Sequence, residues 1–198
     1  MSERVPWVVA LVMLALAVAG AAVDTSRAAP VERVRAVEVA PWPGHLCIDA
    51  AREAAARHGV PGDVMLAITL VETGTTRNGH RGPWPWTLNV AGAGAWFDSR
   101  AEASRAAERA IAGGNRSIDL GCFQINHRWH GMHFPDVGAM LDPAASADYA
   151  ARFLAGLRAE AGDWTTAIGW YHSRTPGRAD AFRARVKRAM QSLGDADG

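Results

Sequence analysis

The chain has 198 residues, 49% hydrophobic and 21% charged, with a formal net charge of +1. This is the make-up of a globular protein of one domain with a short extension. So even a balance excludes a nucleic-acid protein, which needs a basic patch or stripe. The 21 Lys and Arg residues are almost all Arg and are spread along the chain.

Residues 1–22 are expected to be a signal peptide, and residues 23–44 a linker or extended arm. The run WVVALVMLALAVAGAAV at 7–23 is apolar, with small residues near Ala17, Ala19 and Ala22, as a secretory leader requires. Glu3 cancels the charge of Arg4, and the run is at the lower limit for a spanning helix, so an uncleaved anchor is the alternative. The arm carries Pro30, Pro41 and Pro43, while VERVRAVEV alternates and would suit a short strand. The folded domain is expected over residues 45–192, with a tail at 193–198.

Helical patterns dominate that domain. They cover residues 47–59, 61–72, 100–114, 142–162, 163–173 and 178–194. Pro61 near a helix start, Ser99 as a cap, and Gly stops at Gly59 and Gly114 punctuate them. Residues 77–97 break the pattern with Gly, Pro and Trp, and are expected to hold a small β-hairpin. An irregular insert of that length in a compact domain is usually functional. The fold class is therefore mostly α with one Trp/Pro/Gly-rich insert.

Cys47 and Cys122 are the two cysteines. An oxidising compartment would allow a bridge, which is the expectation; two buried thiols are the alternative.

LVETGTT, residues 70–76, raises a chemical question. The preceding run DVMLAITLV is apolar almost all round, as a buried helix is, yet Glu72 follows it directly. A carboxyl on a dry helix end is held in its acid form and can donate a proton. In SIDLGCFQINHRWHG, residues 117–131, Gln124 and Asn126 lie two apart beside Phe123 and Ile125. Such amides can bond sugar hydroxyls and acetamido groups without ionising. In AIGWYHSRTP, residues 167–176, Trp170 and Tyr171 offer flat faces, and Trp84, Trp86 and Trp96 add to them. Aromatic faces with sparse polar groups suit a saccharide cleft.

VETG at 71–74, GCFQIN at 121–126 and YHS at 171–173, in that order, resemble the soluble-type lytic transglycosylases, a branch of the goose-lysozyme-like superfamily. The family pattern is E-S-G, then G-L-M-Q-I-N, then A-Y-N. Thr73 stands for the usual Ser, Cys122 and Phe123 for Leu and Met, and His172 with Ser173 follows Tyr171 where Asn is common. The resemblance implies a lysozyme-like α+β domain, a periplasmic monomer, and peptidoglycan glycan strands as substrate. It implies cleavage of the MurNAc–GlcNAc β-1,4 bond with formation of a 1,6-anhydro ring and no cofactor. Glu72 would be the acid and then the base; Thr73, Phe123, Gln124, Asn126 and Tyr171 would contact substrate. An envelope-spanning secretion, pilus or flagellar machine is the implied partner.

Two other readings stand beside it. One is a glycan-binding or scaffold module without turnover. The other is a water-using lysozyme with Asp98 or Asp119 as second carboxylate. His127, His130 and His133 have a spacing that invites a metal but lack a carboxylate or cysteine partner, so no metal is expected. Gly92 and Gly94 are no phosphate cradle, because no Lys or helix start follows.

Overall fold

The computed structural model describes residues 42–77 and 79–196. The expected signal peptide and most of the arm lie outside them. Chain order runs α1 (Gly44–His58), α2 (Gly62–Thr73), the hairpin β1 (Thr75–Arg77) and β2 (His80–Gly82), and the hairpin β3 (Thr87–Val90) and β4 (Ala93–Trp96). Then come α3 (Arg100–Ala112), β5 (Ile118–Leu120), β6 (Ile125–Asn126), α4 (His127–His130), a 3-10 turn, and α5 (Val137–Met140). The long helices α6 (Pro143–Ala161), α7 (Trp164–His172) and α8 (Pro176–Ala196) close the chain. The fold is mostly helical with two small sheets.

Local chemistry sets the helix ends. Ser99 accepts from the Glu102 amide at 3.3 Å at the start of α3. Asp142 and Asp163 do the same for α6 and α7, at 3.0 and 2.8 Å. Gly162 ends α6 in the left-handed region. The expected tail from residue 193 is instead the last turn of α8, which continues to Ala196.

The core explains why α2 is apolar almost all round. It packs against both α1 and α8, and buries Val64, Met65, Ala67, Ile68, Thr69 and Thr73. Phe182 from α8 and Leu154 from α6 are fully buried with it. Fully burying a side chain of this size contributes about 2 kcal/mol relative to leaving it exposed.

The larger sheet has the order β4-β3-β5-β6, all antiparallel. Side chains alternate faces along a strand, so cross-strand partners form rows. Leu88, Leu120 and Ile125 make one row, and all are buried in the core. The next row is Gly94, Asn89, Asp119 and Asn126. Asn89, Asp119 and Asn126 are polar, half-buried, and face a cavity; Gly94 at the edge adds no side chain. The sequence reading foresaw one hairpin in the insert. The structure holds two, and it adds β5 and β6 around the Gln124 segment.

Candidate active site

The cavity, of about 410 Å³, lies between the polar row of the sheet, the end of α2, and α7. Glu72 lines it from the last turn of α2. The residue is half-buried, with protein packed round it except on the cavity side. Burial pushes its carboxyl from the ordinary 4.5 up to about 8, the charge of Asp119 adds to the rise, and Arg185 opposes it. Glu72 is therefore a protonated acid at neutral pH.

Asp119 sits in the middle of β5. Burial raises its pKa first of all, and the hydrogen bond from Asn126 pulls the other way. That bond runs from Asn126 Nδ2 to Asp119 Oδ1 at 2.7 Å, between direct cross-strand partners. Of two neighbouring acids the less perturbed ionises first, and its charge then holds the proton on the other. The charge of Asp119 thus helps to hold the proton on Glu72.

The turn Gly121–Gln124 carries the next contact. Gly121 has φ of 72° and a Cβ there would lie 2.8 Å from the Met140 carbonyl, so glycine is required twice over. Gln124 also stands in the left-handed region, at φ 47°, where a residue with a side chain is strained. Four elements hold this turn in place. Thr69 Oγ1 of α2 donates to the Cys122 carbonyl at 2.8 Å. Tyr171 of α7 donates its hydroxyl to the Phe123 carbonyl at 2.9 Å. The Gly121 amide donates to the Thr87 carbonyl of β3 at 2.9 Å. A disulfide joins Cys122 to Cys47 of α1. The strain at Gln124 persists because the surroundings over-determine it.

The side chain of Gln124 donates to two carbonyls, Gly121 at 3.1 Å and Thr87 at 3.3 Å. Both partners are acceptors, so the NH₂ group faces them and only Oε1 is left for a ligand. Asn126 is engaged more fully. It caps α4 by accepting from the Arg128 amide at 3.1 Å while holding Asp119. It keeps one N–H for the cavity and acts mainly as a positioning residue.

Two expected contact residues lie behind the wall. Thr73 is buried, donates to the Thr69 carbonyl at 3.0 Å and accepts from the Trp84 amide at 3.2 Å, so its hydroxyl has no spare proton. Its role is to tie the end of α2 to the insert. Phe123 is fully buried in the core and meets the site only through its carbonyl. Tyr171 does line the cavity, but its proton is engaged by that carbonyl, which leaves it as an acceptor. Burial and the nearby Glu72 raise its pKa well above the ordinary tyrosine value.

The other candidates separate in space. Asp98 is exposed and paired with Arg77 at 3.1 Å, away from the cavity, so Asp119 is the second carboxylate there. His127 lines a different hollow, with Ile111 and Arg116, while His130 lines the cavity itself and its Nδ1 meets the Tyr149 hydroxyl at 2.7 Å. Among the described residues no three His, Cys, Asp or Glu side chains converge as metal ligands. Trp84 is buried, its Nε1 donating to the Phe97 carbonyl at 2.6 Å, and Trp170 lies under Arg174.

Sequence reasoning passed over Trp129, Asn89 and Phe153, which line the cavity. Trp129 is 63% exposed on the short α4, a flat face with no core duty. Its neighbours His, Arg and His were the available signal, since a Trp without apolar partners at helical spacing is not a core residue. His172 also lines the cavity and stacks on Phe182 at 4.9 Å. Burial and then Arg185 lower its pKa, so it is neutral at pH 7.

No protein-family model, curated protein or solved structure matches the chain.

Proposed function

We propose that the chain is a peptidoglycan lytic transglycosylase acting in the periplasm, with Glu72 as its catalytic acid and base. The observation that carries this reading is the position of Glu72 at the wall of an open polar cavity, where burial favours the acid form of its carboxyl. The order of the VETG, GCFQIN and YHS motifs supports it, because their residues Glu72, Gln124, Asn126, Tyr171 and His172 line that cavity together.

The chemistry follows from one acid. Glu72 donates its proton to the glycosidic oxygen between N-acetylmuramic acid and N-acetylglucosamine. As that bond breaks, the acetamido oxygen of the same muramyl residue bonds to the anomeric carbon and carries the positive charge as a cyclic oxazolinium ion, in the manner of substrate-assisted glycosidases. Glu72, now a carboxylate, takes the proton of the 6-hydroxyl. The 6-oxygen closes onto the anomeric carbon, the acetamido bond opens, and Glu72 is again an acid. Gln124 Oε1 accepts from the acetamido N–H, and Trp129 offers its face to a sugar ring.

A second reading has a specific observation behind it. Asp119 lines the same cavity as a second carboxylate, the group a water-using glycosidase needs to activate water, which would make the enzyme a hydrolase. Digestion of purified sacculi followed by mass spectrometry separates the two. The transglycosylase leaves 1,6-anhydromuramyl ends; the hydrolase leaves reducing ends. Absence of both would reject turnover altogether and leave a binding or scaffold module of an envelope machine.

Asp119→Asn tests the electrostatic role. Removing the Asp119 charge removes one cause of the high Glu72 pKa. The alkaline limb of kcat/KM is then expected to move to lower pH, with anhydro products retained. A limb that stays in place would show that Asp119 does not set the Glu72 proton.

Gln124→Ala is expected to lower kcat/KM by roughly 10- to 100-fold, the value of a lost hydrogen bond of about 1–3 kcal/mol. Stability should fall by only about 1 kcal/mol, since both carbonyls keep backbone donors, Gly121 N to Thr87 O at 2.9 Å and Gln124 N to Gly121 O at 3.1 Å. Initial rates and melting curves check both; an unchanged rate would leave Gln124 as a brace of the turn.

A further inference from the structure

A second hollow, of about 450 Å³, opens beside the candidate active site, and Phe153 lines both. Its floor is one face of α6, where Tyr149, Phe153 and Gly156 recur at helical spacing. The rings form a continuous ladder. His133 stacks on Tyr149 at 5.2 Å, Tyr149 on Phe153 at 6.3 Å, and Phe153 meets Tyr171 at 5.9 Å. The ladder therefore runs from the far hollow to the wall beside Glu72.

Gly156 is the informative position. It lies inside a 19-residue helix, where glycine weakens the helix relative to alanine. A Cβ at Gly156 would meet nothing within 4 Å, so no protein neighbour demands the glycine. The space it leaves belongs to the hollow.

Charge decides the kind of occupant. Arg174 is tied to Glu160 by two bonds of 2.6 Å, so these charges cancel. Arg152 is held loosely, its Nη1 3.9 Å from Asp148 Oδ2, while Oδ1 of the same carboxylate is engaged by His58 at 2.8 Å and Arg57 at 3.3 Å. Its guanidinium stands 5.5 Å over the Tyr149 ring, and its side chain is 59% exposed. The hollow thus offers an aromatic floor and a loosely held guanidinium suited to a carboxylate.

We propose that this hollow is a subsite for a carboxylate-bearing peptide attached to the glycan strand, read by Arg152 over the floor left open at Gly156. The proposal rests on the peptidoglycan reading of the adjoining cavity. It makes the enzyme selective for peptide-substituted strands over bare ones.

The test uses the full chain carrying Glu72→Gln, which binds without turnover. Two probes are titrated by calorimetry: the GlcNAc–MurNAc disaccharide, and the same disaccharide bearing its acidic tetrapeptide. The peptide-bearing probe should bind roughly tenfold more tightly, the value of one charge-assisted hydrogen bond. Adding Arg152→Gln, or separately Gly156→Leu, should remove that preference and leave the affinity for the bare disaccharide unchanged. Leucine is the better helix former, so the Gly156→Leu chain should melt at or above its parent, which separates blocking from misfolding. Equal affinity for the two probes, or variants that weaken both alike, would overturn the subsite. If the parent leaves anhydro ends on sacculi and shows no preference, the subsite alone falls. If it binds neither probe and leaves no such ends, the peptidoglycan reading falls and the subsite with it.

Discussion

Glu72→Gln is expected to abolish turnover and to make the protein more stable at neutral pH. The sign follows from the direction of the shift. Burial raises the folded pKa of Glu72 to about 8 from an ordinary 4.5. The charged form is disfavoured in the folded state, so the cost is absent at low pH. It grows as pH rises past the unfolded value and is complete above the folded one. Each unit corresponds to about 1.4 kcal/mol, so at pH 7 the parent carries a penalty on the order of 3 kcal/mol. Glutamine keeps the shape and cannot ionise. Its buried amide takes back part of the gain, for about 1 kcal/mol or more. The variant should thus exceed the parent by roughly 2 kcal/mol at pH 7; the order should reverse at about pH 5, and near pH 4, where only the amide cost remains, the variant should be weaker by about 1 kcal/mol. Chemical denaturation of both proteins across that range measures it. A variant clearly weaker at neutral pH would make Glu72 a structural partner and remove the physical basis of its role as an acid. The same shift predicts that parent activity holds up to about pH 8 and then falls tenfold per unit, as the acid form is lost.

Removal of the disulfide is expected to have the largest effect on stability and a separate effect on rate. Cys47 and Cys122 are 75 residues apart. In the chain-entropy account, opening a loop of that length frees the unfolded chain by about 4 kcal/mol. For a domain of this size that is a fall in Tm of about 10 °C. The bridge also fastens the turn that holds Gln124 in its left-handed conformation. Thr69, Tyr171 and Thr87 still hold that turn after reduction, so the fold should survive. Freed to relax, however, the turn re-aims Gln124 Oε1, and kcat/KM should fall by roughly tenfold at a temperature where the protein is fully folded. Paired Cys47→Ala and Cys122→Ala substitutions, assayed well below their Tm, separate the two effects. Unchanged stability would refute the entropic argument; an unchanged rate would show that the remaining hydrogen bonds position the turn alone.

The chain pattern by itself determined the helices and the acid. Helical periodicity and the punctuation by Ser99, Asp142, Asp163 and Gly162 are local chemistry, and local chemistry is written in consecutive residues. Glu72 was legible because a carboxyl at the end of an all-apolar run breaks a local rule. Gln124 and Asn126 were likewise legible, as amides two residues apart in an apolar context, and both line the cavity.

Tertiary structure decided everything that depends on which neighbour a side chain meets. Thr73 and Phe123 belong to the motifs yet face inward, because α2 and the turn present their other residues to the cavity. Asp119 was one of two candidate second carboxylates in the sequence, the one nearer the Gln124 segment; its place in the cavity comes from a register that sets it opposite Asn126 and in line with Asn89. That register rests on pairing between segments about 30 residues apart, as when Asn89 of β3 meets Asp119 of β5. No local pattern carries such pairing, since strands of two to four residues are too short to announce themselves. The pKa of Glu72 has the same origin. Its helix could be recognised in advance, but the low-dielectric wall and the Asp119 charge that hold its proton are assembled only when α2, the sheet and α7 close on one another.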